Sequence, residues 1–182
     1  MSEDVALGEG PAAEFTRYWL TRRPDLDPQA LALAMTLARA HLLDMKNVSR
    51  IAEAHGLTST DYSLMATIQR GRREGPIRPS DLSRMFDLPP SLVTYRIDQL
   101  ARRGLVERSA GTGDRRVVLL GLTREGAGIV DAIVSRIAER AGERMAALDG
   151  VAGGRDALQH LLSALVQRWE QLDEAQDETV AG

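Results

Sequence analysis

Apolar residues recur at helical spacing along most of this chain, and proline and glycine mark the breaks between the repeats. A first helix over residues 12–23 carries three aromatic residues on one face, namely Phe15, Tyr18 and Trp19. Asp27 and Pro28 have the residue types of an N-cap and a first helical position, and a long helix follows to about residue 55. At about 1.5 Å per residue this helix is roughly 40 Å long. Because one small domain cannot cover that length, we expect the helix to pack on a partner chain.

The middle of the chain predicts a third helix and then a closely spaced pair. Thr58 and Asp61 have the spacing of a capping box at the start of the third helix, and residues 72–78 are expected to form a connection. Pro79 and Pro90 each open one helix of the pair. The expected inward residues are Leu82, Met85 and Phe86 in the first helix, and Val93, Ile97 and Leu100 in the second.

Two short strands follow, over residues 105–108 and 117–122, and a basic turn containing Asp114, Arg115 and Arg116 joins them. Thr123 can cap the helix behind the second strand. The order helix, helix, strand, basic turn, strand is that of a winged helix-turn-helix, a module that lays one helix in the major groove of DNA.

The last third of the chain predicts two more amphipathic helices, separated by a glycine-rich break at residues 150–154. The first has a seven-residue apolar repeat formed by Ala127, Val130, Val134, Ile137, Ala141 and Leu148. The second carries Leu158, Leu161, Leu165, Trp169 and Leu172, and is expected to fray from Asp173 onward. Long amphipathic helices at both ends of the chain favour a two-fold dimer, which would cover their apolar faces.

These elements predict a mostly α fold with a small β-wing, of the α+β class, in which a winged helix-turn-helix is embedded in a helical dimerisation domain. The expected segments are a disordered tail (1–11), N-terminal helices for dimerisation or effector binding (12–57), the DNA-binding module (58–122), C-terminal dimerisation helices (123–172) and an acidic tail (173–182).

Composition narrows the function classes. The 182 residues are 43% hydrophobic, enough for one domain with a sizeable core. The absence of cysteine excludes disulfides and thiolate catalysis. The three histidines lack metal-ligand spacing, and no nucleophile motif or phosphate loop is present. We therefore expect that the protein is not an enzyme, and that it has no catalytic or metal-binding residue and no cofactor. Since neither a signal peptide nor a membrane-spanning run is evident, we expect a soluble cytoplasmic protein.

The charge is unevenly distributed. The whole chain has 23 basic and 26 acidic residues, but residues 78–124 contain nine arginines against five acidic residues, a surplus of four positive charges. The remainder holds 14 basic and 21 acidic residues. A basic segment is commonly no more than a solvated face, and it supports nucleic-acid binding here because it coincides with the winged module.

The second helix of the pair has a polar outer face. If Val93, Ile97 and Leu100 point inward, the helical rotation of about 100° per residue turns Ser91, Tyr95, Asp98 and Arg102 outward and leaves Thr94 on a flank. Hydroxyls and an arginine there can hydrogen-bond base edges and phosphates, although an ordinary solvated face would look similar. Asp98 would repel phosphate unless it pairs with an arginine or faces a cytosine amine.

Arg96 lies roughly 60–70° from the centre of the apolar stripe, so it points partly into the protein and needs an anionic partner. That partner is either an internal carboxylate or an anionic ligand. In the basic turn, Arg115 and Arg116 lie near Gly111 and Gly113, which permit a protruding turn suited to the minor groove. Asp114 is placed to orient these arginines.

The Asp-x-Arg…Leu-Thr-x-x-Gly spacing from residue 114 to residue 126 resembles the wing of the MarR family of transcriptional regulators, and the likeness extends from about residue 26 to residue 172. The resemblance implies a homodimer in which each subunit presents one winged module to half of a pseudo-palindrome. It assigns Ser91, Thr94 and Tyr95 to the major groove, and Arg116 to the minor groove with Asp114 as its brace. One departure is Arg78 before Pro79, where the family often has a serine or threonine cap.

The extra N-terminal helix, the segment 23–27 and the segment 95–100 resemble the urate-responsive subgroup and its organic-anion-sensing relatives. The resemblance implies an effector site containing Trp19, Arg96 and Arg108. The subgroup's aspartate is replaced by Ser63, with Asp61 two residues earlier, and this disfavours urate itself. Trp19 could equally be a helix anchor in the dimer core.

The resemblance implies a dimeric, ligand-responsive transcriptional regulator, most often a repressor, whose partners are double-stranded DNA, a second copy of the chain and a small organic anion. The alternative is a constitutive or architectural DNA binder without an effector. A winged helix used only for protein contacts is a further alternative.

Overall fold

The computed structural model of the protein describes residues 9–74, 77–111 and 117–180. Its elements are α1 (Pro11–Arg22), α2 (Pro28–Glu53), α3 (Ser59–Glu74), α4 (Pro79–Met85), α5 (Pro90–Arg102), β1 (Val106–Ala110), β2 (Val118–Leu122), α6 (Arg124–Met145), a 3₁₀ turn (Ala146–Leu148) and α7 (Gly154–Val180). The predicted mostly helical fold with a small β-wing is confirmed. In these ranges no helix is long and apolar enough to cross a membrane.

Local capping fixes where the helices begin. The Asp27 carboxylate accepts hydrogen bonds from the amides of Gln29 and Ala30, at 2.9 and 3.1 Å, at the start of α2. At the start of α3 the Asp61 amide donates to the Thr58 hydroxyl, and the Thr58 amide donates to the Asp61 carboxylate, both at 3.1 Å. Both predicted caps are confirmed, because side-chain oxygens satisfy amides that have no partner within the helix.

The chain forms two compact units, which divide within α6 between Ile137 and Ala138. The core of the first unit collects the apolar faces of α2, α3, α4, α5, the two strands and the beginning of α6. Its most completely buried members include Leu57, Leu64, Met65, Ile68, Leu82, Val93, Ile97, Leu100, Leu105 and Ile133. This core holds α4 and α5 against the wing.

The wing strands β1 and β2 pair antiparallel, with Val106 opposite Leu122 and Ala110 opposite Val118. Ile77 adds a third short edge, because the Leu120 amide donates to its carbonyl oxygen at 2.9 Å. The expectation of a connection over residues 72–78 is therefore wrong at both ends. α3 continues to Glu74, and Ile77 joins the sheet.

Thr123 and the nearby Gly126 attach α6 to the wing. The Thr123 hydroxyl accepts a hydrogen bond from the Gly126 amide at 3.0 Å and donates to the Gly104 carbonyl oxygen at 2.7 Å. The predicted cap is thus confirmed, and the same hydroxyl also joins the start of α6 to the end of α5. A Cβ atom on Gly126 would overlap the Leu105 carbonyl oxygen, so only glycine fits this approach.

One expected inward residue lies outside the core. Met85 is 51% exposed because the seven-residue helix α4 turns only Leu82 fully inward. In α6 the first unit buries Val130, a member of the seven-residue repeat, together with Ile133, whereas Val134 of the same repeat is 47% exposed.

The second unit contains the end of α6, the 3₁₀ turn and α7. Asp149 and Arg155 form an ion pair at 2.6 Å across the turn between them. α7 runs to Val180, past the expected end of the helix at Leu172. It exposes a row of large apolar side chains, namely Leu161, Leu165, Val166, Trp169 and Leu172.

Candidate DNA-binding surface and effector site

Helix α5 presents the predicted polar face. Pro90 begins it, and Val93, Ile97 and Leu100 are at most 1% exposed, which confirms the inward stripe. The remaining surface is open to solvent at Ser91, Thr94, Tyr95 and Arg102, and Tyr95 is 57% exposed. Hydroxyls, a phenol and a guanidinium are therefore available together on one helix, which is a suitable set for base edges and phosphates.

Asp98 and Arg108 form an ion pair at 2.7 Å between α5 and β1, with both side chains about two-fifths exposed. The pair neutralises the one carboxylate on the outer face of α5. Pairing with an arginine is one of the two ways in which Asp98 was expected to avoid repelling phosphate. It also occupies Arg108, which was expected at the effector site. The structure thus places this arginine beside α5, in an ion pair with Asp98.

Arg96 has an internal partner. Its Nη1 donates to an Asp61 carboxylate oxygen at 3.2 Å and to the Thr58 hydroxyl at 3.1 Å, and the side chains of Arg96 and Asp61 are 28% and 13% exposed. Of the two partners that the sequence left open, the structure contains the carboxylate. The Arg96 Nε is buried and has no hydrogen-bond partner among the described residues. Asp61, which the sequence predicted as a helix cap, therefore also holds α5 to α3.

A surface groove of about 440 Å³ lies beside α4 and α5, and no pattern in the sequence indicated it. Its polar lining includes Ser80, Ser83 and Arg84 of α4 and Thr94 of α5. Arg84 also forms an ion pair with Asp81 at 2.9 Å. The groove adds hydroxyls from α4 to the polar face that α5 presents.

Asp81 lies in the first turn of α4, three residues after Arg78. Its carboxylate accepts a hydrogen bond from the Arg78 amide at 2.9 Å. Carboxylates near a helix N-terminus are favourable because the unpaired amides there carry partial positive charge. The departure at Arg78 therefore leaves the helix start capped from within.

Trp19 lies in an aromatic cluster on α1 with 38% of its surface exposed. Its ring centroid is 6.1 Å from that of Phe15 and 5.5 Å from that of Tyr18, and the Arg22 guanidinium lies 5.6 Å from the Tyr18 ring. Ser63, the other expected effector residue, is half-buried on α3. The ring contacts of Trp19 are thus with its own helix, whereas the ion pairs of Arg96 and Arg108 are with Asp61 and Asp98.

The electrostatics of two further groups follow from their surroundings. Arg23 and Asp25 form a two-bond ion pair between α1 and α2, and the guanidinium lowers the pKa of Asp25. Burial raises the pKa of Tyr62, which packs against the core and stays neutral near pH 7. In the described ranges no group of three histidine or acidic side chains could hold a metal ion.

The predicted wing residues Asp114, Arg115 and Arg116 lie outside the described residues, as do residues 1–8 of the expected N-terminal tail. The strands that carry the turn are described on both sides, at Gly111 and Val117, where the Gly111 amide donates to the Val117 carbonyl oxygen at 2.8 Å.

Residues 57–118 match the model of the MarR family. The chain is 28% identical over 127 residues to the HTH-type transcriptional regulator PecS of Dickeya dadantii. The matched stretch covers 70% of this chain and 76% of that protein. The chain is 32% identical over 74 residues to the HTH-type transcriptional repressor MdtR of Bacillus subtilis, covering 41% of this chain and 46% of that protein.

The fold is similar to solved structures of the same class. The apo form of MarR from Escherichia coli matches with a TM-score of 0.63 and 22% identity, over 73% of this chain and 95% of that one. A variant of MepR from Staphylococcus aureus bound to an oligodeoxyribonucleotide matches with a TM-score of 0.56 and 20% identity, over 71% of this chain and 96% of that one. The relatives that the chain matches are transcriptional regulators and not enzymes, whereas the solved structures show only that the fold is shared.

Proposed function

We propose that this chain is a MarR-family winged-helix transcriptional regulator, which its match to the family model over residues 57–118 and its relatives support. In this proposal it is a homodimeric repressor that reads a pseudo-palindromic operator and releases it on binding a small organic anion. The observation that carries DNA reading is the outer face of α5, where Ser91, Thr94, Tyr95 and Arg102 are open while the opposite stripe is fully buried. The helix lies in the major groove through this face. Arg115 and Arg116, with Asp114 beside them, enter the minor groove. A cytoplasmic location follows from this role.

Uncovered apolar surface supports the homodimer. In α2, Leu33 is 57% exposed and Leu42 54%, and in α7, Leu161 is 65% exposed and Trp169 52%. Rows of large apolar side chains on long helices are seldom left in water. A second copy of the chain covers them and places two recognition helices on the two half-sites.

The effector reading rests on Trp19, Arg96 and Arg108, with Ser63 in place of the subgroup's aspartate. The ion pair between Arg96 and Asp61 adds a requirement, because an anion that binds Arg96 has to compete with the Asp61 carboxylate. Displacement of that carboxylate would loosen α5 from α3, which is a physical route from ligand to DNA release. Urate is disfavoured because Ser63 offers no carboxylate to its ring nitrogens, whereas a di- or tricarboxylate needs none.

A constitutive DNA binder is the second candidate, and the same ion pair favours it. Arg96 already has an anionic partner at 3.2 Å, and Arg108 has one at 2.7 Å, so neither guanidinium needs a ligand for charge balance.

Selection of bound sequences from random duplexes tests DNA reading first. The selected duplex is then challenged with urate and with citrate, using the native protein, Arg96→Ala and Ser63→Asp. We expect citrate to release the native protein but not Arg96→Ala, and Ser63→Asp to gain a response to urate. Release of the native protein by low urate, or an Arg96→Ala response equal to the native one, contradicts the effector reading. Retention of DNA against every anion supports the constitutive binder.

A further inference from the structure

The helices α2 and α5 end in the same way. Gly56 (φ 69°) follows the end of α2 and Gly104 (φ 72°) follows the end of α5, and in each case the next residue is a buried leucine, Leu57 or Leu105. The amide of each leucine donates back to the last turn of its helix at 3.0 Å. Both ends are therefore Schellman caps, in which a left-handed glycine lets the chain turn sharply into the core.

One side chain joins these two ends. Arg103, the C-cap of α5, donates from Nη1 to the Gly56 carbonyl oxygen at 2.9 Å, across 47 residues of sequence. The carboxyl end of a helix carries partial negative charge from its unpaired carbonyls. The guanidinium is thus a cation at the end of its own helix that also reaches the end of α2, and it is favourable at both.

Arg96, seven residues earlier on α5, makes a second link to the same corner. It bonds Thr58 and Asp61, which begin α3 directly after Gly56 and Leu57. Two arginines two helical turns apart therefore tie α5 to the α2–α3 corner, at its middle and at its carboxyl end. The neighbouring Arg102 is exposed, and its one hydrogen bond among the described residues is a weak 3.4 Å contact within its own helix, to the Asp98 carbonyl oxygen.

We propose that Arg103 is a positioning residue for DNA reading: it sets the angle of the recognition helix by holding its carboxyl end against the end of α2, without touching DNA. The inference rests on the proposed function, because an angle of α5 matters only if this helix reads bases. Loss of the hydrogen bond from Arg103 leaves the polar face of α5 intact but fixes the angle of the helix less closely. Arg103 therefore affects sequence preference, while Arg102, its outward neighbour, affects phosphate attraction.

The test compares Arg103→Met, Arg103→Lys and the control Arg102→Met on two probes, the duplex selected by the native protein and a scrambled duplex of equal length and composition. For Arg103→Met we expect the preference for the selected duplex to fall about three- to tenfold, since one exposed charged hydrogen bond is lost. Its affinity for the scrambled duplex and its salt slope should match the native values. Arg103→Lys keeps the cation and should lose less preference.

Arg102→Met should instead weaken both complexes and reduce the slope of log affinity against log salt by about one. A similar slope change in Arg103→Met would overturn the proposal, because Arg103 would then be a phosphate contact. An unchanged preference in Arg103→Met would also overturn it. If Arg103→Met does not fold, Arg103→Lys takes its place in the test. An Arg103→Lys protein with the native preference for the selected duplex would then overturn the proposal. If the native protein binds the two duplexes with equal affinity, the proposed function itself is refuted. That outcome is distinct from failure of the Arg103 proposal, which is read from the variants.

Discussion

Two glycines in the first turns of α6 face different surroundings. A Cβ atom on Gly126 would overlap the backbone carbonyl oxygen of Leu105, whereas nothing lies within 4 Å of a Cβ atom on Gly128. The same substitution is therefore expected to have opposite effects two residues apart. Gly126→Ala should destabilise the fold, and Gly128→Ala should stabilise it.

The magnitudes follow from two terms. At both positions, replacing glycine by alanine inside a helix favours folding by about 0.5–1 kcal/mol. Gly128→Ala keeps this gain because the added methyl meets no atom. At Gly126 the obstacle is a carbonyl that also accepts the Thr123 amide at 3.2 Å, so it cannot move without loosening the start of α6. Overpacking of this kind costs about 1–3 kcal/mol. The two variants should therefore differ in free energy of unfolding by about 1–3 kcal/mol, with Gly126→Ala the less stable.

Urea unfolding of both variants, at one fixed protein concentration, measures this difference. A fixed concentration is needed because dissociation of a dimer would contribute to the unfolding midpoint. We expect the midpoints to move in opposite directions from the native one. Equal midpoints, or a Gly126→Ala protein at least as stable as Gly128→Ala, would refute the close packing of α6 on Leu105.

Four further substitutions test the remaining parts of the account. Leu165→Glu should shift sedimentation from dimer to monomer by charging the apolar row of α7, whereas His160→Glu, on an exposed polar position of the same helix, should not. Arg116→Ala should weaken binding to the selected duplex by about 1–3 kcal/mol and reduce preference at A·T-rich flanks, as measured by fluorescence anisotropy. Tyr95→Ala should relax preference at the centre of a half-site in a repeated selection, and an unchanged selected sequence would remove Tyr95 from the interface. Thr123→Val should lower the free energy of unfolding by about 1–2 kcal/mol, because it removes the cap of α6, and unfolding at the native midpoint would contradict that role.

Features set by neighbouring residues were predictable from the sequence. The caps at Asp27, Thr58 and Thr123 depend on a side chain and an amide within three residues of each other. The buried stripe of α5 follows from spacing within one helix, and with it the outward face that carries the candidate DNA contacts.

Features set by distant parts of the chain were not predictable. The pairing of Ile77 with Leu120 joins residues far apart in sequence, so nothing near Ile77 distinguishes it from a connection. Flank geometry predicted that Arg96 needs an anion, but only the packing of α5 on α3 supplies Asp61 as that anion. Arg103 gave no signal at all, because its acceptor is a backbone carbonyl, which every residue type possesses. The exposure of Met85 was not predictable either, because it depends on how little of the short helix α4 reaches the core.

In the proposed function, two copies of this chain read one duplex through α5. Titration of the selected duplex and its scrambled counterpart with native protein at physiological salt, followed by anisotropy and sedimentation, measures both the stoichiometry and the preference. We expect two chains per selected duplex and a preference of at least about 10³ over the scrambled duplex. Equal affinity for the two duplexes, or no binding to either even at low salt, would show that α5 does not read DNA in this way.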